Sequence, residues 1–362
     1  MIKKTPLFDI HKKLGAKMIE FSNWHLPLEY NSIISEYESA KSNCTVFDAM
    51  HSTLVNIYGK DATNFLSFIT TSNLSKLEDN SVIRTLLLKE DGTIIDDPLL
   101  YRISSNRIML RINADNKEKV ISWLTKHSSR WQVIIDDKSY DLGIIALNGP
   151  NSIKIAESLL QSDLTKLNRS EFMLATVGEI NLIIAYVSYI DFEGVELIIS
   201  RRNAIEIWNL LTSKKNNSPN LKPIGLGTCN LLRLEMKKPL YGIDVAPTNR
   251  PSEVGFEQFV DFEKDVDFIG REALSNQEQS DDNEILVGLT LEGPLLPRAL
   301  FNIYSDDEKV GIIKSATYSP LLSKGIALAS IKKNYASLNK KLFVDIRGEM
   351  ILASLVTTDK FI

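Results

Sequence analysis

Residues 89–101, KEDGTIIDDPLLY, set two adjacent carboxylates, Asp96 and Asp97, among apolar neighbours. In an extended chain successive side chains point to opposite faces, so one of the pair must face the interior or a cleft. A carboxylate placed there is costly unless something hydrogen-bonds it. Two readings stay open at this point. One is a structural role beside Pro98, in the turn or at a sheet edge; the other is a site carboxylate that binds a cationic or NH-bearing ligand.

A second acidic group lies in residues 188–197, SYIDFEGVEL, where Asp191, Glu193 and Glu196 surround Gly194. A solvated turn accounts for Asp191 and Glu193. It accounts less well for Glu196, the lone charge in the apolar run VELII. Arg233 and Glu235, in LLRLEMKK, fall on an expected helix and read as structural ion-pairing groups. The four histidines, His11, His25, His51 and His127, show no metal-ligand spacing. Cys44 and Cys229 form neither a Cys-x-x-Cys pair nor a disulfide framework, which points to a reducing compartment. GLGTCN, residues 225–230, lacks the third glycine of a dinucleotide loop and reads as a helix start. No phosphate-binding Walker loop is present.

These side chains need a scaffold, and the apolar pattern outlines one. Strands are expected over 53–58, 82–88, 94–101 and 108–112, with helices carrying Phe65, Phe68 and Ile69 and then Val120, Trp123 and Leu124. Residues 142–153, LGIIALNGPNSI, read as a buried strand, a Gly-Pro turn and a new helix, and hairpins are expected over 177–199. Polar stretches at 213–220 and 275–284 look like breaks in the packed structure. Beyond the second, six short β-prone runs separated by Gly, Pro, Ser and Asp clusters predict an all-β barrel or sandwich. Mixed strands and helices before it predict a layered α+β arrangement.

Composition narrows the function classes. Lys plus Arg number 42 and Asp plus Glu 46, a formal net charge of −4. That balance argues against sequence-independent nucleic-acid binding, which needs a basic excess to release counterions. The most apolar short run, residues 180–187, is far shorter than the roughly 20 residues a bilayer span requires. Asp9 and His11 interrupt the N-terminal stretch before an apolar run of secretory length forms. A cytoplasmic protein with no membrane partner is expected.

The strings TPLFDIHKKLGAKMIEFSNWHLPLEY, SIISEYESAKSNCTVFDAMHS, KEDGTIIDDPLLY, IALNGPNS, GLGTCNLLRLEMKKPLYGID, PSEVGFEQFVDF, DFIGREAL and KVGIIKSATYSPLLSKGIALA resemble, in the same order, the T-protein (aminomethyltransferase) family of the glycine cleavage system. The resemblance runs over essentially the whole chain. It implies an α+β, three-domain cloverleaf: residues 1–52 with 140–274 as a discontinuous folate-binding domain, 53–139 as an inserted α+β domain, and 285–362 as a C-terminal β-barrel. The implied activity is tetrahydrofolate-dependent transfer of a one-carbon unit from an aminomethyl-lipoyl carrier, the lipoylated H-protein, with release of ammonia. Carried over residue by residue, the catalytic aspartate falls on Asp97 and the pterin-binding glutamate on Glu196. Asn113 and Tyr189 fall on further folate-site positions.

The chain also departs from the family pattern. Residues 186–192, YVSYIDF, replace the usual Arg-x-Gly-Tyr-Thr-Gly-Glu, keeping Tyr189 but placing Ile190 after it. Cys229 and Asn230 stand where the family has Arg-Asp, and the arginine is a folate-site cation. The sequence offers Arg84, Lys237, Lys238 and Arg298 as replacements for that charge. Two alternatives to aminomethyl transfer follow from the wider family: a folate-dependent demethylase of a small N-methyl or S-methyl compound, and a non-catalytic folate-binding regulatory protein.

Overall fold

The alternating apolar runs of the first two thirds of the chain pair into two main sheets. A computed structural model describes residues 2–160, 163–188, 192–213, 220–276, 283–293 and 296–361. They form two compact units: residues 1–87, 95–229 and 263–268 in the first, and 88–94, 230–262 and 269–362 in the second.

In the first unit a six-stranded sheet has the order Phe172–Val177, Ile180–Ala185, Gly194–Ser200, Leu142–Asn148, Thr45–Asp48, Lys222–Pro223. Val195, Leu197 and Ile199 alternate to one face. There they join Ile145, Leu147, Leu182 and Ile184 in a core that also takes Ile207, Trp208 and Leu211 from the helix Ala204–Thr212. Burying several such side chains, each contributing roughly 1.5–3 kcal/mol, fixes which face of the strand is dry core. Glu196 is thereby sent to the other face. The strand starts at Gly194, where a Cβ would come within 2.4 Å of the Leu147 carbonyl oxygen, so the close pairing with Asn148 requires glycine.

A five-stranded sheet of the same unit runs Ile134–Asp137, Thr53–Tyr58, Arg107–Ile112, Leu99–Ser104, Val82–Arg84. Two expected strands are broken here. The run 82–88 divides into Val82–Arg84 and Leu87–Leu88, because Thr85 turns its amide to the Pro98 carbonyl and Thr71 Oγ1 accepts from the Leu86 amide. The run 94–101 divides into Ile94–Asp96 and Leu99–Ser104. Pro98 has no N–H to give a ladder and restricts the backbone of the residue before it, which leaves Asp97 outside both strands.

In the second unit the six β-prone runs of the tail become six strands closed into a barrel, ordered Glu284–Leu291, Lys324–Lys332, Glu308–Ser319, Asn302–Ser305, Leu342–Ile346, Glu349–Val356. Leu289, Leu291, Ile303, Val310, Ile313, Ala329, Ile331, Leu342 and Val344 fill its core. Arg233 and Glu235 are structural but do not pair with each other. Arg233 donates to Asp244 Oδ2 at 2.7 Å and Ser315 Oγ at 3.0 Å, and Glu235 accepts from Ser319 Oγ at 2.6 Å.

Candidate active site

Asp96 is fully buried. Its Oδ2 accepts the backbone N–H of Asn113 at 3.1 Å, and its Oδ1 accepts the side-chain amides of Asn113 at 2.8 Å and Asn116 at 2.6 Å. Asn116 also donates to the Ile95 carbonyl. Burial, and after it the charge of Asp97, push the Asp96 carboxyl up from its ordinary value, while the asparagine donors pull it back. The neighbouring Asp97 is only partly buried. Asn113 Nδ2 donates to Asp97 Oδ1 at 2.8 Å, so one primary amide uses both its hydrogens to tie the two carboxylates together.

Glu196 is likewise fully buried. The residues beside it on the flanking strands are Ala146 and Ala185, both fully buried and both with only a methyl side chain. Tyr101 donates its hydroxyl to Glu196 Oε2 at 2.8 Å, and Arg111 Nη1 donates to Oε1. Burial, and then the Glu196 charge, raise the Tyr101 phenol well above its usual value. Tyr101 is paired with Met109 and Leu99 with Arg111, so Tyr101 and Arg111 share one face of the five-stranded sheet. Asn113 lies two residues past Arg111, at the end of the strand Arg107–Ile112. The strand end therefore reaches Glu196 with one side chain and Asp97 with another about 7 Å along the chain.

Tyr101, Arg111 and Asn116 were not singled out from the sequence. Arg111 carried the clearest available signal: a charge inside an apolar strand, at i−2 from Asn113. Tyr189, Ile190 and Asp191 lie outside the described residues. Glu193 is half-buried and pairs with Arg169.

Cys229 is buried in the helix Leu226–Glu235, and burial, and after it the Glu36 charge, push its thiol well above its usual value. Glu36 is occupied by the backbone amides of Tyr30 and Gly225 and by Thr228 Oγ1. Asn230 accepts from Arg233 Nε at 2.9 Å. A separate buried polar group joins His11 Nε2 to Asp48 Oδ2 at 2.8 Å, with Thr5 Oγ1 donating to the same oxygen and the Tyr30 hydroxyl against His11 Nδ1. Among the described residues no group of three or more His, Cys, Asp or Glu side chains is arranged to hold a metal ion. Nor is any helix among them long and apolar enough to cross a membrane.

Comparison with known proteins finds relatives along nearly the whole chain. The family model for the GCVT N-terminal domain matches residues 7–264, and that for the glycine cleavage T-protein C-terminal barrel domain matches residues 285–361. An aminomethyltransferase of Alkaliphilus metalliredigens is 34% identical over 356 residues, covering 98% of this chain and 96% of the relative. One from Thermosipho melanesiensis is 35% identical over 356 residues, with the same coverages. The crystal structure of the glycine cleavage system aminomethyltransferase T from Bartonella henselae superimposes with a TM-score of 0.91 at 22% identity, covering 100% of this chain and 98% of that one, and so shares its fold.

Proposed function

The chain belongs to the glycine cleavage T-protein family, and from that premise we propose that it is a tetrahydrofolate-dependent aminomethyltransferase, with a lipoylated H-protein as its carrier partner. The observation that carries the reading at the site is the strand end Arg111–Asn113. It links a buried carboxylate, Glu196, to a partly exposed one, Asp97, that a neighbouring amide holds in place.

The residues present suit a pterin. Glu196 is a buried carboxylate flanked by two alanines, and a carboxylate can accept the two parallel N–H groups of an aminopyrimidinone edge as it does those of a guanidinium. Bound tetrahydrofolate would supply the nucleophilic nitrogen that takes up the one-carbon unit.

The protein's own part is positioning and electrostatics. Asn113 fixes the Asp97 carboxylate, and the Asp96 carboxyl behind it, loaded with three N–H donors, fixes Asn113. Asp97 then presents a preorganised acceptor to an N–H at the reacting centre and stabilises positive charge that develops there as the amine leaves. No rearrangement of the carboxylate is needed at that moment, which is where preorganisation lowers the barrier. Turnover of aminomethylated, lipoylated H-protein with tetrahydrofolate, read as ammonia and methylenetetrahydrofolate in equal amounts, tests the proposal. Folate binding without ammonia release would overturn the transferase reading.

A further inference from the structure

We propose that Arg111 is a specificity-determining residue that occupies the Glu196 carboxylate in competition with the pterin, so that folate enters this site by exchange with a protein guanidinium. The inference rests on the reading above that Glu196 receives the aminopyrimidinone edge. Three observations carry it.

First, both oxygens of Glu196 are engaged: Oε1 by Arg111 and Oε2 by Tyr101. A guanidinium and a 2-aminopyrimidinone present the same pattern of parallel N–H donors to a carboxylate, so they are chemical rivals for it. Second, the partners differ in access. The Glu196 side chain is wholly shielded, whereas the Arg111 side chain keeps 11% of its surface exposed, which makes the guanidinium the outer member of the pair. Third, the residues paired with Glu196 on the two flanking strands are alanines, Ala146 and Ala185, so neither paired position sets a bulky side chain against a flat ring that takes the guanidinium's place.

The energetic consequence is asymmetric. An incoming pterin edge is neutral and Arg111 is always charged, so exchange gives up a charge–charge contact for a charge–neutral one. Arg111 therefore weakens folate binding while giving the buried Glu196 side chain a partner in the unliganded protein. A small ligand that lacks the paired N–H edge gains no entry at all.

The test is calorimetric titration of tetrahydrofolate, under exclusion of oxygen, into the wild-type protein, Arg111→Gln and Arg111→Leu, each with and without Glu196→Ala. The proposal expects Arg111→Gln and Arg111→Leu to bind about tenfold more tightly than wild type, equivalent to about 1.4 kcal/mol. That gain should vanish when Glu196 is also replaced. If both Arg111 variants bind as wild type does or more weakly, while Glu196→Ala still weakens binding, Arg111 is an anchor and the competition is overturned. If Glu196→Ala changes nothing in any background, the underlying pterin assignment fails instead. Should the Arg111 variants fold poorly, a structure of the wild-type protein with tetrahydrofolate decides the matter: Arg111 is expected off Glu196, and a guanidinium still seated on it beside bound folate would refute the exchange.

Discussion

Asp97 is held by a single side-chain amide that it shares with a buried neighbour. Asp97→Asn keeps the shape and can still accept from Asn113 through its amide oxygen, but it removes the charge and puts an N–H donor where the second carboxylate oxygen was. Loss of a preorganised electrostatic contact at a reacting centre costs on the order of a hundredfold in rate. The expected result is a fall in kcat of that size with the unfolding midpoint little changed. A kcat equal to wild type would withdraw Asp97 from the chemistry. Glu196→Ala calls for a different expectation. It weakens folate binding by roughly 1.5–3 kcal/mol, the range for a hydrogen bond to a charged group. It also strips the acceptor from Tyr101 and takes the Glu196 carboxylate away from Arg111, so stability falls by roughly 3 kcal/mol, as when a buried pair loses one partner. Denaturant titration beside calorimetry separates the two effects. An unchanged affinity would remove Glu196 from the pterin site.

At the level of strands and helices, the tie between the helix Leu226–Glu235 and the segment after it depends on Arg233. Its guanidinium meets Asp244, whose side chain is fully shielded, and also donates to the Lys238 carbonyl. Arg233→Ala leaves that carboxylate buried and unpaired, and an expected loss of about 3–5 kcal/mol follows. Equal urea midpoints for variant and wild type would show the pair to be dispensable. Much of this architecture was legible in the sequence. Six β-prone runs became six barrel strands because alternation of apolar residues is a local property that closure does not alter. The strand Thr53–Tyr58 and the strand–turn–helix of 142–153 follow from similar local signals. The break at Asp97–Pro98 was missed because the apolar run continues through it, although Pro98 itself carried the warning. The partners of Glu196 were beyond reach for another reason. Alternation states which face a residue takes, while Arg111 and Tyr101 arrive from a different sheet, and one chain's pattern contains no term for that pairing. The cation on Glu196 is Arg111, brought to it from the other sheet.

For the molecule as a whole, the response to acid should carry the mark of His51. This imidazole is fully buried, and desolvation lowers its pKa from 6.5 to about 4; Asp48 and Asp115 oppose the shift, and Arg111 and Arg201 add to it. Between those two values the unfolded chain binds a proton that the folded chain does not. The stability attached to His51 is therefore intact above about pH 6.5 and is lost progressively as pH falls toward 4. One pKa unit corresponds to about 1.4 kcal/mol, so the loss between pH 7 and pH 5 is about 2 kcal/mol. Asp96, whose carboxyl is pushed up, acts in the opposite sense over the same interval. The His51 share is therefore read from the difference in unfolding free energy between wild type and His51→Gln, which should shrink by about 2 kcal/mol from pH 7 to pH 5. Identical slopes in the two proteins would exclude His51 as its source.

The way the chain divides between its two units bears on how it is made. Residues 88–94 belong with 230–262: the Ile94 amide donates to the Asn249 carbonyl, Tyr241 to the Ile94 carbonyl, and Lys89 to the Pro247 carbonyl. Asp96 and Asp97 follow this segment directly. On a ribosome adding about 5–20 residues per second, Ile94 is synthesised on the order of ten seconds before Asn249 exists to receive its hydrogen bond. Throughout that interval the turn leading into the paired aspartates keeps only its local hydrogen bonds, such as that from the Lys89 amide to the Thr93 carbonyl. The five-stranded sheet can assemble meanwhile from the residues already made, with Asn113 and Asn116 holding the two carboxylates, so the nascent chain waits with the turn before them fastened on one side only until Tyr241 and Asn249 emerge.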